Sequence, residues 1–118
     1  MEQVENLTQD DVLELIQDFP IKPRTYKVIV TLNMEEEQDG LTLSSNMLSE
    51  SQYIVALSEK IVDLKAGQKV LIDLEKLQSY DIVEGQKVSS IKIKPIYVNN
   101  KVFGMINDNV IDAIDGRE

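Results

Sequence analysis

Short runs of alternating apolar and polar residues recur along most of this chain, and they predict a fold built from strands. A period of two is typical of strands, and the turn residues between the runs are typical of a small barrel or sandwich. The predicted strands are 26–32, 53–57, 70–74, 87–94, a hairpin within 96–106, and 110–114. We therefore expect an all-β domain with a core of Val, Ile and Leu, because aromatic residues make up only 5% of the chain.

The residues between these runs predict particular turns. Asn99-Asn100 fits a two-residue hairpin turn, because Asn tolerates the left-handed conformation. Gly67 occupies a turn where a positive φ is expected, and Gly104 suggests a bulge or a close backbone approach. Pro95 cannot donate to a strand ladder, so it predicts an edge strand. Residues 75–85 leave two alternatives open, a short helical turn or an irregular loop.

The N-terminal region predicts one short amphipathic helix over residues 8–19. Thr8 suits the N-cap, the acidic residues after it suit the positive end of the helix dipole, and Pro20 ends the helix. The apolar residues recur at helical spacing and form one stripe: Val12, Leu15, Ile16 and Phe19. The stripe fits two alternatives, a helix that docks on its own domain or a helix that binds a partner.

The charge of the chain restricts the classes of partner that we expect it to bind. It carries 12 basic and 21 acidic residues, a net charge of −9. This balance argues against nucleic acid and against an anionic membrane surface, since both attract Lys and Arg. No apolar run is long enough to span a bilayer, and the acidic N-terminus does not resemble a signal peptide. The expected compartment is the cytoplasm.

The chain contains neither His nor Cys, which removes the usual zinc ligands, the common general base near neutral pH and any disulfide. We expect no enzyme activity, no catalytic residue, no metal and no cofactor. Carboxylate chemistry alone stays open, with Asp108 and Asp112 as a pair or with a metal site among residues 35–39. This alternative is the least favoured, because nothing in the sequence indicates that those carboxylates are buried.

One polar stretch, residues 34–52, is longer than an ordinary connection, and loops of this length are usually functional or disordered. Its carboxylates at 35–37 and 39 repel one another and favour an extended, solvated segment. Gly40 and the tripeptide Leu41-Thr42-Leu43 follow. We predict a mobile loop whose apolar residues bind a partner. The alternative is that Leu41 and Leu43 belong to one more strand on the core.

Five short motifs follow one another in order. Ile21-Lys22-Pro23 precedes Lys27-Val28-Ile29-Val30, and Gly40-Leu41-Thr42-Leu43 lies in the long loop. Residues 63–72 read D-L-K-A-G-Q-K-V-L-I, and residues 109–114 read N-V-I-D-A-I. In order and spacing, over about residues 21–114, these motifs resemble the GroES-like co-chaperonins.

The resemblance implies a GroES-like β-barrel domain over residues 20–118, preceded by an N-terminal extension at 1–19 that carries the helix. Family members form heptameric rings that cap a GroEL-type chaperonin and enclose a folding client protein. The residues implied to bind the chaperonin are Gly40, Leu41, Thr42 and Leu43. The first extended segment of one copy is implied to pair with the last strand of its neighbour, through Ile21, Lys22, Pro23, Val110, Ile111 and Ile114.

The chain departs from the family pattern in four places. Residues 58–62 are too short for the glycine-rich hairpin that roofs the ring, residues 75–95 are longer than usual, Thr42 stands where Val is common, and residues 1–19 are extra. These departures suggest a divergent member, and a bacteriophage protein acting in the host cytoplasm is one interpretation. The alternative function is a structural protein of a phage capsid or tail on the same small β fold, with the helix as a docking arm.

Overall fold

Strands dominate the structure, as the alternating pattern predicts. The computed structural model describes residues 6–35 and 48–116. Within these ranges the elements are α1 (Gln9–Leu15), β1 (Lys27–Thr31), β2 (Ser51–Leu57), β3 (Lys69–Ile72), β4 (Gln78–Val83), β5 (Gln86–Ile91), β6 (Lys94–Val98), β7 (Lys101–Asn107) and β8 (Ile111–Ile114). Short 3₁₀ helices, Leu74–Leu77 and Asp108–Val110, precede β4 and β8. The prediction of an all-β fold with a short N-terminal helix is confirmed.

Six strands form one antiparallel sheet in the order β6-β7-β1-β2-β3-β8. Its register shifts between Ile29 and Val30 of β1 and between Leu71 and Ile72 of β3, and such irregularities increase the local twist. In the described ranges the pairing ends at β6 and β8, so the sheet is open and does not close into a barrel. At β6 one physical reason is Pro95, which has no N–H to donate; its predicted edge position is confirmed.

β1 is buried on both of its faces. One face contributes to the first core, which consists of Val28, Val30, Ile54, Ile61, Val70, Ile72, Ile106 and Val110. The other face contributes to the second core, which consists of Val12, Ile29, Val55, Val98 and Phe103. Alternation in the sequence treats Ile29 as the outward side of a strand, but Ile29 is fully buried because α1 contributes Val12 to the same core.

α1 docks on the sheet of its own chain, which is the first of the two alternatives for this helix. Val12 is fully buried in the second core, and the other members of the predicted stripe pack against that core: Leu15, Ile16 and Phe19. The ring of Phe19 meets that of Phe103 edge to face, with centroids 5.2 Å apart. The helix ends at Leu15, earlier than predicted, and Phe19 packs from the turn that follows.

The predicted turns are confirmed. Asn99 and Asn100 have φ angles of 50° and 66° between β6 and β7, and Gly67 has a φ of 93°. Gly104 lies in β7 at a close approach, since a Cβ added there would lie 2.5 Å from Ile93 Cγ2. In each case the residue type matches the local backbone or space that the tertiary structure requires.

Residues 75–94 are where the sequence pattern and the structure differ most. The chain forms a 3₁₀ turn and then β4 and β5, which pair as a separate two-stranded sheet. Glu84 and Gly85, with φ angles of 52° and 79°, form the two-residue turn between them. The strand predicted at 87–94 is confirmed over 87–91 as part of β5, but it ends at Ile91 because Ile93 leaves the strand to pack against the first core.

The predicted last strand also starts one residue too early. Val110 belongs to the second 3₁₀ helix and is buried in the first core, so β8 begins at Ile111. The strand predicted at 70–74 ends at Ile72, because Asp73 caps the next 3₁₀ turn by accepting a hydrogen bond from Glu75 N–H. Both differences arise where a side chain needed by the core or by a cap ends the strand.

Replacing Gly104 with Ala should lower the free energy of unfolding by about 1–3 kcal/mol, the usual cost of overpacking a core. The added Cβ would lie 2.5 Å from Ile93 Cγ2 and 2.9 Å from Leu32 Cδ2, so both side chains must move. Urea denaturation measures the change. Gly116→Ala is the matched control, since a Cβ there meets nothing within 4 Å. Equal stability of the two variants would contradict the close approach.

The cap of α1 should make the Asp11 carboxyl unusually acidic. Its pKa is lowered from the ordinary value of 3.8, first by the hydrogen bond that the Thr8 backbone N–H donates and then by the Thr8 hydroxyl. The stabilising contribution is therefore present above pH 3.8 and is lost as the pH falls through the lowered pKa. An NMR titration of the Asp11 carboxyl should show this shift. Thr8→Ala should reduce it, and the distant Thr25→Ala should not.

Candidate functional site

The residues predicted to bind a partner belong to the long loop, and the structure describes its two ends. Gly40, Leu41, Thr42 and Leu43 lie outside the described residues, which stop at Glu35 and resume at Leu48. Both alternatives for the tripeptide therefore stay predictions. The structure defines what we call the loop base, residues 31–35 and 48–53.

Backbone pairing closes the loop base. Met34 and Leu48 form an isolated antiparallel bridge, and Ser49 N–H donates to the carbonyl of Asn33 at 2.9 Å. Because bridged residues are neighbours in space, the two described ends of the long loop lie close together. The predicted strand start at 53 is too late, since β2 already begins at Ser51.

The side chain of Gln52 joins the two ends of the loop base. It is fully buried, and its Oε1 accepts from the Thr31 hydroxyl at 2.8 Å and from Asn33 N–H at 2.7 Å. Its Nε2 donates to the carbonyls of Asn33 at 2.8 Å and Ser49 at 2.7 Å. The Thr31 hydroxyl also accepts from Tyr53 N–H at 3.0 Å. All four hydrogen bonds available to a glutamine amide are thus made.

Two asparagine side chains fix the N-terminal residues to the same base. The Asn6 amide donates to the Met34 carbonyl at 2.8 Å and accepts from Met34 N–H at 2.9 Å. The Asn33 amide makes the same pair of hydrogen bonds with the backbone of Leu7: it accepts from the Leu7 N–H and donates to the Leu7 carbonyl, both at 2.9 Å. Each amide thus makes the two hydrogen bonds, one donated and one accepted, that the backbone of a neighbouring strand would make. The start of the N-terminal helical region is therefore coupled to the position where the loop leaves the sheet.

The C-terminal end of β8 is tied to this region as well. Ser51 Oγ donates to the Asp115 carboxylate at 3.1 Å, and Lys69 Nζ lies 3.8 Å from the same oxygen. The backbone N–H of Asp115 donates to the Lys69 carbonyl at 2.7 Å. The carboxylate is buried, with its side chain only 1% exposed. The side chain of Asp115 therefore stabilises the start of β2.

Sequence reasoning missed the residues that build the loop base. In the sequence pattern Gln52 falls in the predicted loop at 34–52, and Asn6 precedes the predicted helix. The available signal was a single polar residue directly before the continuous apolar run at 53–57, which is typical of a buried strand. A buried amide in that position needs hydrogen-bond partners, and Thr31, Asn33 and Ser49 provide them.

The first predicted interface segment, Ile21-Lys22-Pro23, is extended and lies outside the strands. Ile21 packs partly against the second core, Lys22 is exposed and Pro23 is buried. The segment forms one wall of an open cleft of about 530 Å³, whose other wall is residues 55–60. Within this chain Pro23 lies outside the strands of the sheet.

The second predicted interface segment is β8, the last strand of the six-stranded sheet. It pairs with β3 through Val70↔Ile114 and Leu71↔Ala113. Ile114 is 52% exposed and Ile111 is half-buried. Val110 is buried in the first core, so its side chain stabilises the fold of its own chain and is not presented at the surface. Within one copy the structure does not pair Ile21–Pro23 with β8, and a contact between copies stays a prediction.

The carboxylates considered for an enzyme lie near the end of the chain. Asp108 is half-buried in the second 3₁₀ helix, and Asp112 is exposed in β8. Among the residues that the structure covers, no group of three or more carboxylates is placed to hold a metal ion. Within the loop base, the side chains of Thr31, Ser49 and Gln52 hydrogen-bond to one another or to the backbone. This arrangement is suited to holding backbone in place.

Comparison with models of known protein families finds none that matches this chain, and comparison with curated proteins finds no match either. Across the described parts of the chain, no helix has the length and apolar character needed to cross a membrane. The resemblance to the GroES-like family therefore rests on the motifs alone, and the functional argument rests on the loop base.

Replacing Gln52 with Leu, which has a similar size, should lower the free energy of unfolding by about 1–3 kcal/mol or more. The buried hydroxyl of Thr31 and the backbone groups of Asn33 would lose their partner, and each unsatisfied buried group carries a cost of that order. Urea denaturation measures the stability, and amide hydrogen exchange at Asn33 reports on the loop base. Gln86→Leu, at an exposed strand position, is the control. Unchanged exchange at Asn33 would show that Gln52 does not hold the loop.

Proposed function

We propose that this protein is a co-chaperonin, a ring-shaped lid that binds a GroEL-type chaperonin through Gly40, Leu41, Thr42 and Leu43. The lid has no chemistry of its own and assists the ATP-dependent folding of an enclosed client protein. It acts in the cytoplasm, which is that of the host if the protein comes from a bacteriophage. The observation that carries the proposal is the loop base, which anchors both ends of a polar segment containing one apolar tripeptide.

Because the loop base is already fixed, fewer residues must be ordered when the loop binds a partner. Ordering one loop residue costs about 1–2 kcal/mol, so residues already fixed by backbone pairing and by Gln52 add no such cost. Leu41 and Leu43 each contribute roughly 1.5–3 kcal/mol when buried in a partner's groove. The cost of ordering the tripeptide 41–43 is therefore similar to the total contribution of its two leucines, so one loop binds weakly. Weak single contacts suit a lid that must be released when the chaperonin changes state.

A ring that carries several loops binds tightly although each single contact is weak. When several loops are held on one rigid assembly, each later contact becomes intramolecular, and the overall affinity rises by a factor of about 10²–10⁴. This gain requires that the loops start from fixed positions. The bridge between Met34 and Leu48 supports that requirement in each copy.

The edges of the described sheet support ring formation. β8 carries Ile114 at 52% exposure, and its outer edge pairs with no other strand of the described chain. Such an edge invites pairing with another chain. In the proposal, Ile21–Pro23 of a neighbouring copy pairs with this edge, and repetition of that head-to-tail contact closes a heptamer.

The double variant Leu41→Ser, Leu43→Ser should lose binding to a GroEL-type chaperonin and keep the mass of the wild-type ring. The reason is that the substitutions remove the apolar groups of the loop and leave the described sheet untouched. Native mass spectrometry measures the ring, and inhibition of the chaperonin's ATPase measures binding.

Val62→Ser is the matched control, because Val62 is a surface residue at 89% exposure. It should leave both the ring mass and the chaperonin binding unchanged. Full chaperonin binding by the double Ser variant would overturn the site. A monomeric wild-type protein that neither binds a chaperonin nor slows its ATPase, but is found in purified phage particles, would favour a capsid or tail component instead.

A further inference from the structure

Three lysines from separate parts of the chain line one open cleft, which we call the lysine cleft. Lys27 begins β1, Lys76 lies in the first 3₁₀ helix, and Lys92 follows β5. The cleft has a volume of about 410 Å³. Pockets that bind small molecules measure about 300–1,000 Å³, so this cleft is large enough for a small ligand. The fold thus collects three positive charges that lie far apart in the sequence.

Apolar side chains form part of the wall of the lysine cleft. Ile106 and Val110 are buried members of the first core, and Leu77 packs against that core. All three line the cleft. A cleft that carries charges of one sign on walls of low polarity concentrates the electric field and raises the local concentration of counter-ions. The position of the lysines beside the core therefore strengthens their attraction for an anion.

Two of the ammonium groups are held in place by neutral acceptors. Lys27 Nζ donates to Asn107 Oδ1 at 2.6 Å, and Lys76 Nζ donates to the Asn109 carbonyl at 2.8 Å. Both asparagines also line the cleft. An ammonium group has three N–H donors, so donors remain for a ligand. Because neither acceptor carries a charge, these contacts orient the lysines without neutralising them.

Carboxylates do little to neutralise these lysines. No Asp or Glu is among the residues of the described chain that line the cleft. Lys92 Nζ lies 4.0 Å from an Asp81 oxygen, but the two side chains are 65% and 61% exposed, and such a pair is weak in water. Asp108 lies between Asn107 and Asn109 in the sequence and does not line the cleft. In a chain with 21 acidic and 12 basic residues, this separation of charge is unusual.

The chemistry of the lysines defines the class of ligand. An ammonium group donates hydrogen bonds and accepts none, so its ligand must supply acceptor oxygens and negative charge. A carboxylate supplies two oxygens and one charge, whereas a phosphate group supplies three oxygens and a charge of about −1.5 to −2 near neutral pH. Three lysines therefore match a phosphate-class anion with more than one charge better than they match a single carboxylate.

We propose that the lysine cleft binds a diphosphate group, either as free pyrophosphate or as part of a small nucleotide. Lys27, Lys76 and Lys92 donate hydrogen bonds to its oxygens. This site goes beyond the lid function, because it does not involve Leu41 or Leu43 and requires no chaperonin. Its success or failure can therefore be measured on this protein alone.

An NMR titration of the full chain with sodium pyrophosphate, at constant ionic strength, tests the site. The backbone amide signals of Asn107 and Asn109 should shift and reach saturation, whereas sodium chloride should not produce these shifts. Lys76→Gln and Lys92→Gln should each weaken the affinity by about tenfold, because each removes a charge-assisted hydrogen bond. A parallel titration with ADP separates the two sources of the group: tighter binding than pyrophosphate indicates a nucleotide, and equal or weaker binding indicates the free anion.

Matched variants control for charge and folding. Lys65→Gln changes an exposed lysine that does not line the cleft and should leave the affinity unchanged. Lys92→Arg keeps the charge and should keep the binding. Circular dichroism measures the melting curves; Lys92→Gln decides the matter if Lys76→Gln, which loses its hydrogen bond to Asn109, melts earlier than the wild type.

Three results would each overturn the proposal. The first is the absence of saturable shifts at Asn107 and Asn109 with both pyrophosphate and ADP. The second is wild-type affinity in Lys92→Gln. The third is citrate, a tricarboxylate, binding as tightly as pyrophosphate, which would remove the assignment to a phosphate-class anion. None of these results bears on the lid function, which is measured with a chaperonin.

Discussion

The buried amide of Gln52 is the interaction on which the region around the long loop depends. It makes four hydrogen bonds at the point where β1 ends and β2 begins, and each of them joins one loop end to the other or to the sheet. A polar group in a core is costly unless it is fully hydrogen-bonded. The observed arrangement of the neighbouring backbone satisfies all of its hydrogen bonds, so the amide stabilises that arrangement. The asparagine pairs at Asn6 and Asn33 extend the same principle to the N-terminal residues.

The second organising feature is a central strand with a core on each side. Because Val28 and Val30 face one core and Ile29 the other, β1 gives the molecule two distinct sides. One side is covered by α1, and the other receives Leu77 and Ile93, which flank the β4–β5 hairpin. The loop base lies at the end of the same strand. Burial of one strand on both faces therefore determines where the loop, the helix and the hairpin lie relative to one another.

These features combine in the proposed assembly. A lid needs tethers that start from fixed points and edges that can pair with a neighbouring copy. The loop base supports the first need, and the open edge at β8 supports the second. Both properties come from short-range hydrogen bonding and strand pairing in a chain without His or Cys.

Local physics made much of this protein predictable from its sequence. Period-two patterns predicted the strands, Thr8 predicted a helix cap, and Asn99-Asn100, Gly67 and Pro95 predicted their turns and edge. Each of these depends on a residue's own conformational preference or on its nearest neighbours along the chain. The long polar loop and its apolar tripeptide were likewise visible in the sequence alone, although their role stays a proposal.

Tertiary structure decided what those preferences leave open. Nothing local indicates that Ile29 meets Val12 or that Ile93 leaves its strand for the first core, because both outcomes depend on surfaces brought together from distant parts of the chain. The partners of Gln52 lie up to 21 residues away in sequence, so its role becomes evident only once β1 and β2 are paired. Burial is a property of the whole fold, and a residue that is apolar or polar in the sequence acquires its function only from what finally covers it.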